Sequence, residues 1–284
     1  MTFLPRFIPM LLAILALPGA AETALDIYEA NLKEAEHSAQ AQLLLSLTLQ
    51  DCRSLSDIDG QDRFETMVEE VSAMGIADFS QWEADVRKRW AWCEDLLEKF
   101  GGDDYGALEK AWLAKSVASG SSLGALIEFN DRLNQRSFQQ SLTDFGADVD
   151  VIERPVLDDF TSHLRRALAD SFESGDARLK RAALFQVHLK FRKDELSAIS
   201  ESDSGSRTLT PQDEHELGAL RSGNQEMPWN FLTCKYSRSC TTAAFAAAIG
   251  DYFSQSQIQS FRETAEYYER CIEAGDWVSL GLIE

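Results

Sequence analysis

The segment 120–124 reads Gly-Ser-Ser-Leu-Gly and places Ser122 in a G-x-S-x-G pattern, which is typical of hydrolases with a serine nucleophile. In those enzymes a strand runs into the serine, a helix leaves it, and the sharp turn between them exposes the hydroxyl. Here the residues before Gly120 have helical periodicity, so the strand is missing. We therefore expect Gly120 to end one helix and Ser121 or Ser122 to begin the next, and we assign no catalytic residue.

Three aspartates, Asp57, Asp59 and Asp62, resemble part of a calcium-binding loop. Leu55 stands where the first acidic ligand of an EF-hand would be needed, and Thr66 stands where the bidentate glutamate would be needed. The pattern is better explained as an acidic helix cap. The sequence predicts no metal site and no cofactor.

The chain has four histidines, and none lies in a complete catalytic or metal-binding motif. His215 begins the zinc-protease pattern H-E-x-x-H, but Ala219 replaces the second histidine, so a ligand is missing. His37, His163 and His188 lie within helical patterns, where a hydrogen-bonded structural histidine is the expected role. A hydrolase site would require these histidines to meet acids from distant helices.

The hydrophobic periodicity of the chain predicts helices almost throughout, and these helices must position the residues discussed above. Residues 79–100 place apolar side chains three or four positions apart, which is the spacing of one helix face. We predict one long first helix over residues 23–50, and further helices that mostly end at glycine. Residues 141–154 and 200–210 are predicted loops, and the second is either a subdomain boundary or a surface loop. Because no run alternates apolar and polar residues, the predicted fold class is all-α.

All five cysteines follow residue 51, and in an oxidising compartment this usage predicts disulfides. Their grouping along the chain predicts a Cys52–Cys93 bond. In the C-terminal half, Cys234–Cys240 is one pairing and leaves Cys271 as a free thiol. Pairing of Cys271 with Cys234 or with Cys240 is the alternative, and the spacing does not decide between them.

The N-terminus predicts export. Arg6 is followed by an apolar run, Met10–Leu17, which is too short to span a bilayer, and small residues precede a cleavage point after Ala21. We therefore predict that residues 1–21 are a signal peptide and that residues 22–284 form one helical domain. In bacteria this places the protein in the periplasm, with secretion as the alternative.

The chain is strongly acidic, with a formal net charge of −20 at pH 7. Loss of residues 1–21 removes Arg6 and no acid, so the charge becomes −21. Nucleic acids and anionic membranes bind basic surfaces, so the charge argues against both partners. It is compatible with a cationic protein partner.

Residues 267–276 read Tyr-Tyr-Glu-Arg-Cys-Ile-Glu-Ala-Gly-Asp and resemble the second helix of a Sel1-like repeat, a relative of the tetratricopeptide repeat. Tyr267 and Tyr268 occupy the aromatic positions, Arg270 the basic position and Gly275 the turn. Weaker copies lie at residues 112–120 and 168–176. The resemblance implies stacked helical hairpins that bind another protein on one face. An irregular helical bundle is the alternative arrangement.

The segment Trp229–Cys234, with Cys240 six residues beyond, resembles a signature of uncharacterised exported helical proteins of bacteria, and it implies a disulfide that closes a helix end. Together with the Sel1-like resemblance, it leads us to expect a non-catalytic exported protein that binds another protein. An immunity or inhibitor protein and an envelope adaptor are the two versions of this expectation. A helical envelope hydrolase with an unrecognised active site is the alternative from a different class.

Overall fold

The computed structural model describes residues 22–75, 79–101, 104–144, 157–187, 190, 227–237, 240, 242–250 and 253–282. Every regular element in these ranges is a helix, so the predicted all-α fold class is confirmed. A 3₁₀ turn, Arg53–Leu55, lies between the second and third α-helices. The α-helices in chain order are α1 (Ala24–Leu32), α2 (Ala39–Cys52), α3 (Gly60–Ala73), α4 (Phe79–Phe100), α5 (Tyr105–Ala118), α6 (Ser122–Asp144), α7 (Phe160–Ser174), α8 (177–187), α9 (227–235), α10 (Thr242–Ala248) and α11 (Gln255–Ala274).

The prediction of one helix over residues 23–50 was wrong, because residues 33–38 separate α1 from α2. Ser38 has an extended backbone, and its hydroxyl accepts a hydrogen bond from the N–H of Ala41 at 3.1 Å. The buried side chain of Gln42 donates to the carbonyl of Ala35 at 2.6 Å. These bonds satisfy backbone groups that a continuous helix would otherwise pair, so the helix can stop and restart here.

Helix α6 continues to Asp144, four residues into the predicted loop at 141–154, while residues 145–154 lie outside the described residues. The predicted boundary at 200–210 also lies outside them. The expected glycine stops are present. Helices α7 and α11 end at Gly175 and Gly275, whose φ angles of 74° and 69° lie in the left-handed region that glycine adopts at low cost.

Helix α2 lies between two hydrophobic cores. Leu43, Leu44 and Leu47 belong to one core, and Leu45 and Leu49 belong to the other. Nearly all of its residues from position 41 onward are buried, which explains why the sequence of this helix is apolar on every side. It packs against α1, α4 and α5.

The N-terminal core is formed by α1, α3 and α4, by one side of α2 and by the start of α5. Its centre includes Phe64 and Trp90, whose rings stack with centroids 4.6 Å apart. The buried Tyr105 donates its hydroxyl to the carbonyl of Leu49 at 3.0 Å, which joins α5 to α2. Above Phe64, the Arg87 guanidinium donates two hydrogen bonds to a single carboxylate, that of Glu65 on α3.

The C-terminal core draws on the other side of α2 and on helices α5–α11. Two aromatic pairs pack where α9 meets α10 and α11. The rings of Trp229 and Tyr268 lie 4.6 Å apart, and those of Phe231 and Phe245 meet edge to face at 4.9 Å. Aromatic contacts of this kind add to the free energy gained from burial alone.

Candidate functional site

A cleft of about 420 Å³ opens between the start of α2, the turn from α5 to α6, and the second half of α7. We call it the α2–α6–α7 cleft. It brings the serine motif of the sequence beside carboxylates that the sequence did not single out. Its lining residues are Ala39, Gln40, Leu43, Gly120, Ser121, Ser122, Leu123, Ala167, Asp170, Ser171, Glu173, Ser174 and Leu179.

The turn from α5 to α6 forms one side of the cleft. Gly120 has a φ of 90°, and its N–H donates to the carbonyl of Val117 at 2.9 Å. The N–H of Ser121 donates to the carbonyl of Ser116, also at 2.9 Å. These are the two hydrogen bonds of a Schellman motif, in which a left-handed glycine ends a helix. The Ser121 hydroxyl then accepts from the N–H of Gly124 at 3.0 Å and so caps α6. The G-x-S-x-G pattern is therefore a helix stop followed by a helix start.

Helices α5 and α6 approach each other closely beside this turn. A methyl group added at Gly124 would lie 2.6 Å from the hydroxyl oxygen of Ser116, which is fully buried and donates to the carbonyl of Leu113 at 2.7 Å. The second glycine of the pattern therefore provides space between the helices.

Helix α7 contributes two carboxylates, Asp170 and Glu173, which line the cleft one helical turn apart. Neither makes a hydrogen bond or an ion pair within the described residues. Partial desolvation and the neighbouring charge of Glu173 raise the pKa of Asp170, and Arg166 opposes this shift. Both acids are exposed, and Arg166 is a nearby cation that forms no ion pair with Asp170 in the described structure.

Two serine hydroxyls complete the polar lining. Ser122 is 5% exposed and Ser171 is 3% exposed, and neither hydroxyl makes a hydrogen bond within the described part of the chain. Neither hydroxyl oxygen is among the enclosed atoms that lack a partner, so both remain open to solvent from the cleft. The cleft therefore offers hydroxyls that a bound molecule could satisfy.

The surroundings of Ser122 differ from those of a serine nucleophile. Helix α5, and not a strand, precedes it. Among the described residues that line the cleft, none carries an imidazole, amine or thiol that could accept the hydroxyl proton. A serine hydroxyl becomes a strong nucleophile when a base of that kind lies within hydrogen-bonding distance. The described geometry suits Ser122 to binding.

Of the histidines that the structure describes, neither His37 nor His163 lines this cleft. His37 is exposed in the turn before α2. His163 lies on α7, and burial together with the nearby charge of Arg166 lowers its pKa. The Nδ1 atom of His163 is enclosed without a hydrogen-bond partner among the described residues. His188 and His215 lie outside the described residues.

The aspartates near residue 60 surround the start of α3. Asp59 occupies the N-cap position, but its side chain makes no capping hydrogen bond, and Asp62 lies in the first turn. Asp62 is suitably placed to interact with the positive end of the helix dipole. Within the described ranges no group of three or more His, Cys, Asp or Glu side chains could hold a metal ion.

Two disulfides join cysteines in the described structure. Cys52 at the end of α2 is bonded to Cys93 on α4, with Cα atoms 5.7 Å apart. Cys234 on α9 is bonded to Cys240, with Cα atoms 5.2 Å apart, and Cys271 is a buried free thiol. Structural disulfides are typical of proteins in oxidising compartments. None of the described helices combines the length and apolar character needed to cross a membrane.

Sequence reasoning missed Asp170 and Glu173. Their spacing of three residues places them on the same side of a helix, and this is the signal that could have drawn attention to them. The fold adds what spacing alone lacks, because it places the pair beside Ser122 and Ser171 at a cleft.

No known protein family, curated protein or solved structure matches the chain. The resemblance to Sel1-like repeats and the solenoid arrangement that it implies therefore stay predictions. In the described structure, Tyr267 and Tyr268 lie on α11, and Gly275 ends that helix.

Proposed function

We propose that the chain is an exported, non-catalytic protein that binds another protein through its acidic helical surface. Its place would be the periplasm, and its role that of an immunity or inhibitor protein or an envelope adaptor. The observation that carries this proposal is the α2–α6–α7 cleft, where two carboxylates and two serine hydroxyls lie without partners in the described structure. Polar groups that converge on a cleft suit the recognition of a ligand.

The disulfides support export. Cytosolic thiols are kept reduced, so the two disulfides favour an oxidising compartment. The predicted signal peptide, residues 1–21, agrees with this reasoning and lies outside the described residues.

The chemistry of the cleft supports binding over hydrolysis. A hydrolase of the serine type needs a base beside the hydroxyl, and the described lining offers only carboxylates. Carboxylates at the edge of a cleft instead attract a cationic group, and a net charge of −20 would speed the approach of a basic partner.

Affinity capture followed by reconstitution tests this proposal. The tagged chain without residues 1–21 is incubated with envelope extract from its source at low and at moderate salt, and captured proteins are identified by mass spectrometry. We expect one stoichiometric partner whose retention weakens as salt rises. The partner is then purified, and the stoichiometry of the complex is measured by light scattering.

A matched bait controls for adsorption by charge alone. The same chain, reduced, alkylated and unfolded, keeps its acidic residues but loses the folded surface. A protein that binds both baits equally does not recognise the fold. If no protein binds the folded bait selectively at either salt concentration, the proposal is wrong, and the hydrolase alternative becomes the next to test by substrate screening.

A further inference from the structure

The acid pair on α7 lies exposed at the rim of the cleft. Asp170 and Glu173 lie one turn apart, and the charge of Glu173 disfavours ionisation of Asp170. Neither has a hydrogen bond or ion pair in the described structure, whereas Asp176, three residues further on, is paired with Arg178 at 2.8 Å. A cation bound between Asp170 and Glu173 would relieve their repulsion.

The buried hydroxyls are a second and independent observation. Ser122 and Ser171 are more than nine-tenths buried, line the same cleft and lack hydrogen-bond partners in the described structure. Their hydroxyl oxygens are not among the enclosed, unpaired atoms, so solvent reaches them from the cleft, and a ligand there would replace water as their hydrogen-bond partner.

The start of α2 and the start of α6 also meet at the cleft, at Ala39 and Ser122. The first N–H groups of an α-helix have no partner within the helix, and they favour carbonyl oxygens or anions. The cleft therefore presents hydrogen-bond donors from the helix starts on one side and carboxylates on the other. A polypeptide with a basic side chain matches both, because its backbone supplies carbonyl oxygens and its side chain supplies the cation.

We propose that the α2–α6–α7 cleft binds an arginine or lysine side chain, with its flanking backbone, from an extended segment of the partner protein. This inference rests on the proposed function, since it names the chemistry of the partner. Asp170 and Glu173 hold the cationic group, and Ser122 and Ser171 complete its hydrogen bonds. The cleft volume of about 420 Å³ is within the range of ligand pockets and exceeds what one side chain fills, which leaves space for backbone.

A peptide titration tests the site directly. The probe is N-acetyl-Gly-Arg-Gly-amide, added to the isotope-labelled chain and followed by amide NMR. We expect the amide signals of Gly120, Ser121 and Gly124 to shift with the arginine peptide. The same peptide with neutral citrulline in place of arginine should leave them nearly unchanged. Absence of shifts with the arginine peptide would overturn the proposal.

A pair of charge-matched variants isolates the cleft. The double variant Asp170→Asn/Glu173→Gln removes the two proposed contacts, and we expect it to weaken peptide binding about three- to tenfold. The control Asp95→Asn/Glu98→Gln removes two acids on α4 that are exposed like the cleft pair and have the same spacing, and it should have little effect. Equal weakening by both variants would mean that binding follows overall charge, and the site would be wrong. Circular dichroism checks that both variants remain folded.

Propylguanidinium separates a polypeptide from a small cation. It carries the same single positive charge as the arginine peptide but no backbone carbonyl, so it should bind more weakly than the peptide. If propylguanidinium binds as tightly as the peptide, the assignment of a polypeptide partner is wrong.

The inference and the proposed function fail in different ways. If affinity capture yields a partner that binds the Asp170→Asn/Glu173→Gln variant as tightly as the unaltered chain, the cleft assignment is overturned and the binding function stands. If the peptide binds the cleft but no partner protein is found, the site stands and the proposed function falls.

Discussion

The Cys52–Cys93 disulfide should contribute more to stability than Cys234–Cys240, because it closes a much longer loop. The two cysteines of the first bond are 41 residues apart, and those of the second are six apart. Loop-closure entropy in the unfolded chain predicts a contribution of about 4 kcal/mol for the first bond and about 2 kcal/mol for the second. Stability of a domain is typically about 5–15 kcal/mol, so loss of the first bond would be severe.

The measurement compares the double variants Cys52→Ala/Cys93→Ala and Cys234→Ala/Cys240→Ala by urea unfolding, followed by circular dichroism. Cys52 and Cys93 are both fully buried, so their replacement also leaves small cavities. The variant Cys271→Ala measures that cost alone, because Cys271 is buried and forms no disulfide. If the Cys234/Cys240 variant loses as much free energy as the Cys52/Cys93 variant after this correction, the loop-length argument is refuted.

Two further substitutions test local features. Gly124→Ala should lower the free energy of unfolding by about 1–2 kcal/mol, because the new methyl group would lie 2.6 Å from the Ser116 hydroxyl. In a Ser116→Ala background the cost should be smaller, because the 2.6 Å contact is removed and only the 3.2 Å contacts with Ser121 remain. An equal effect in both backgrounds in urea unfolding would contradict the steric explanation. Burial raises the pKa of Asp176, but hydrogen bonds from the Arg178 guanidinium and from the N–H groups of Arg178 and Leu179 outweigh it, so the pKa is lowered overall. The stabilisation from the ionised carboxylate is present above the unfolded pKa, about 3.9, and is lost as pH falls through the folded value. Asp176→Asn should therefore lower the free energy of unfolding by about 1 kcal/mol at pH 7 and by progressively less below about pH 4. A cost that does not change with pH in urea titrations would show that the carboxylate charge has no role.

Local signals in the sequence were sufficient to predict most of the helices. Glycine ends α7 and α11 because only glycine adopts the left-handed conformation there at low cost, and that residue is readable in the sequence. The break before α2 was missed because the apolar period continues across it. What stops the helix is Ser38, whose capping hydrogen bond competes with helix continuation, and serine is common within helices as well.

The position of α2 between two cores could be predicted from the sequence only in part. A helix that is apolar on all sides must be buried, but its sequence does not say which helices cover it. The partners are chosen by long-range contacts such as the 2.5 Å ion pair between Asp51 and Arg181, which are 130 residues apart. No local pattern marks this pair.

The acid pair of the cleft could not be selected from the sequence for a similar reason. The chain contains 47 acidic residues and 27 lysines and arginines, so many acids lack a cation even if every lysine and arginine forms a pair. What distinguishes Asp170 and Glu173 is their place at a cleft that Ser122 of α6 and Ser171 of α7 also line. This is a property of packing between helices, which the spacing of residues along one helix does not contain.

The way the cleft is built suits it to recognition, because its walls are helix ends held by well-packed neighbours. Helix α2 contributes Ala39 and Gln40 at its start, and the rest of that helix packs between the two cores. The start of α6 is held by the Schellman turn at Gly120 and by the close contact of Gly124 with Ser116. Groups positioned by rigid elements need little reordering when a ligand binds, so more of their interaction energy appears as affinity. A basic segment that enters this cleft would therefore meet carboxylates, hydroxyls and helix starts that are already in place.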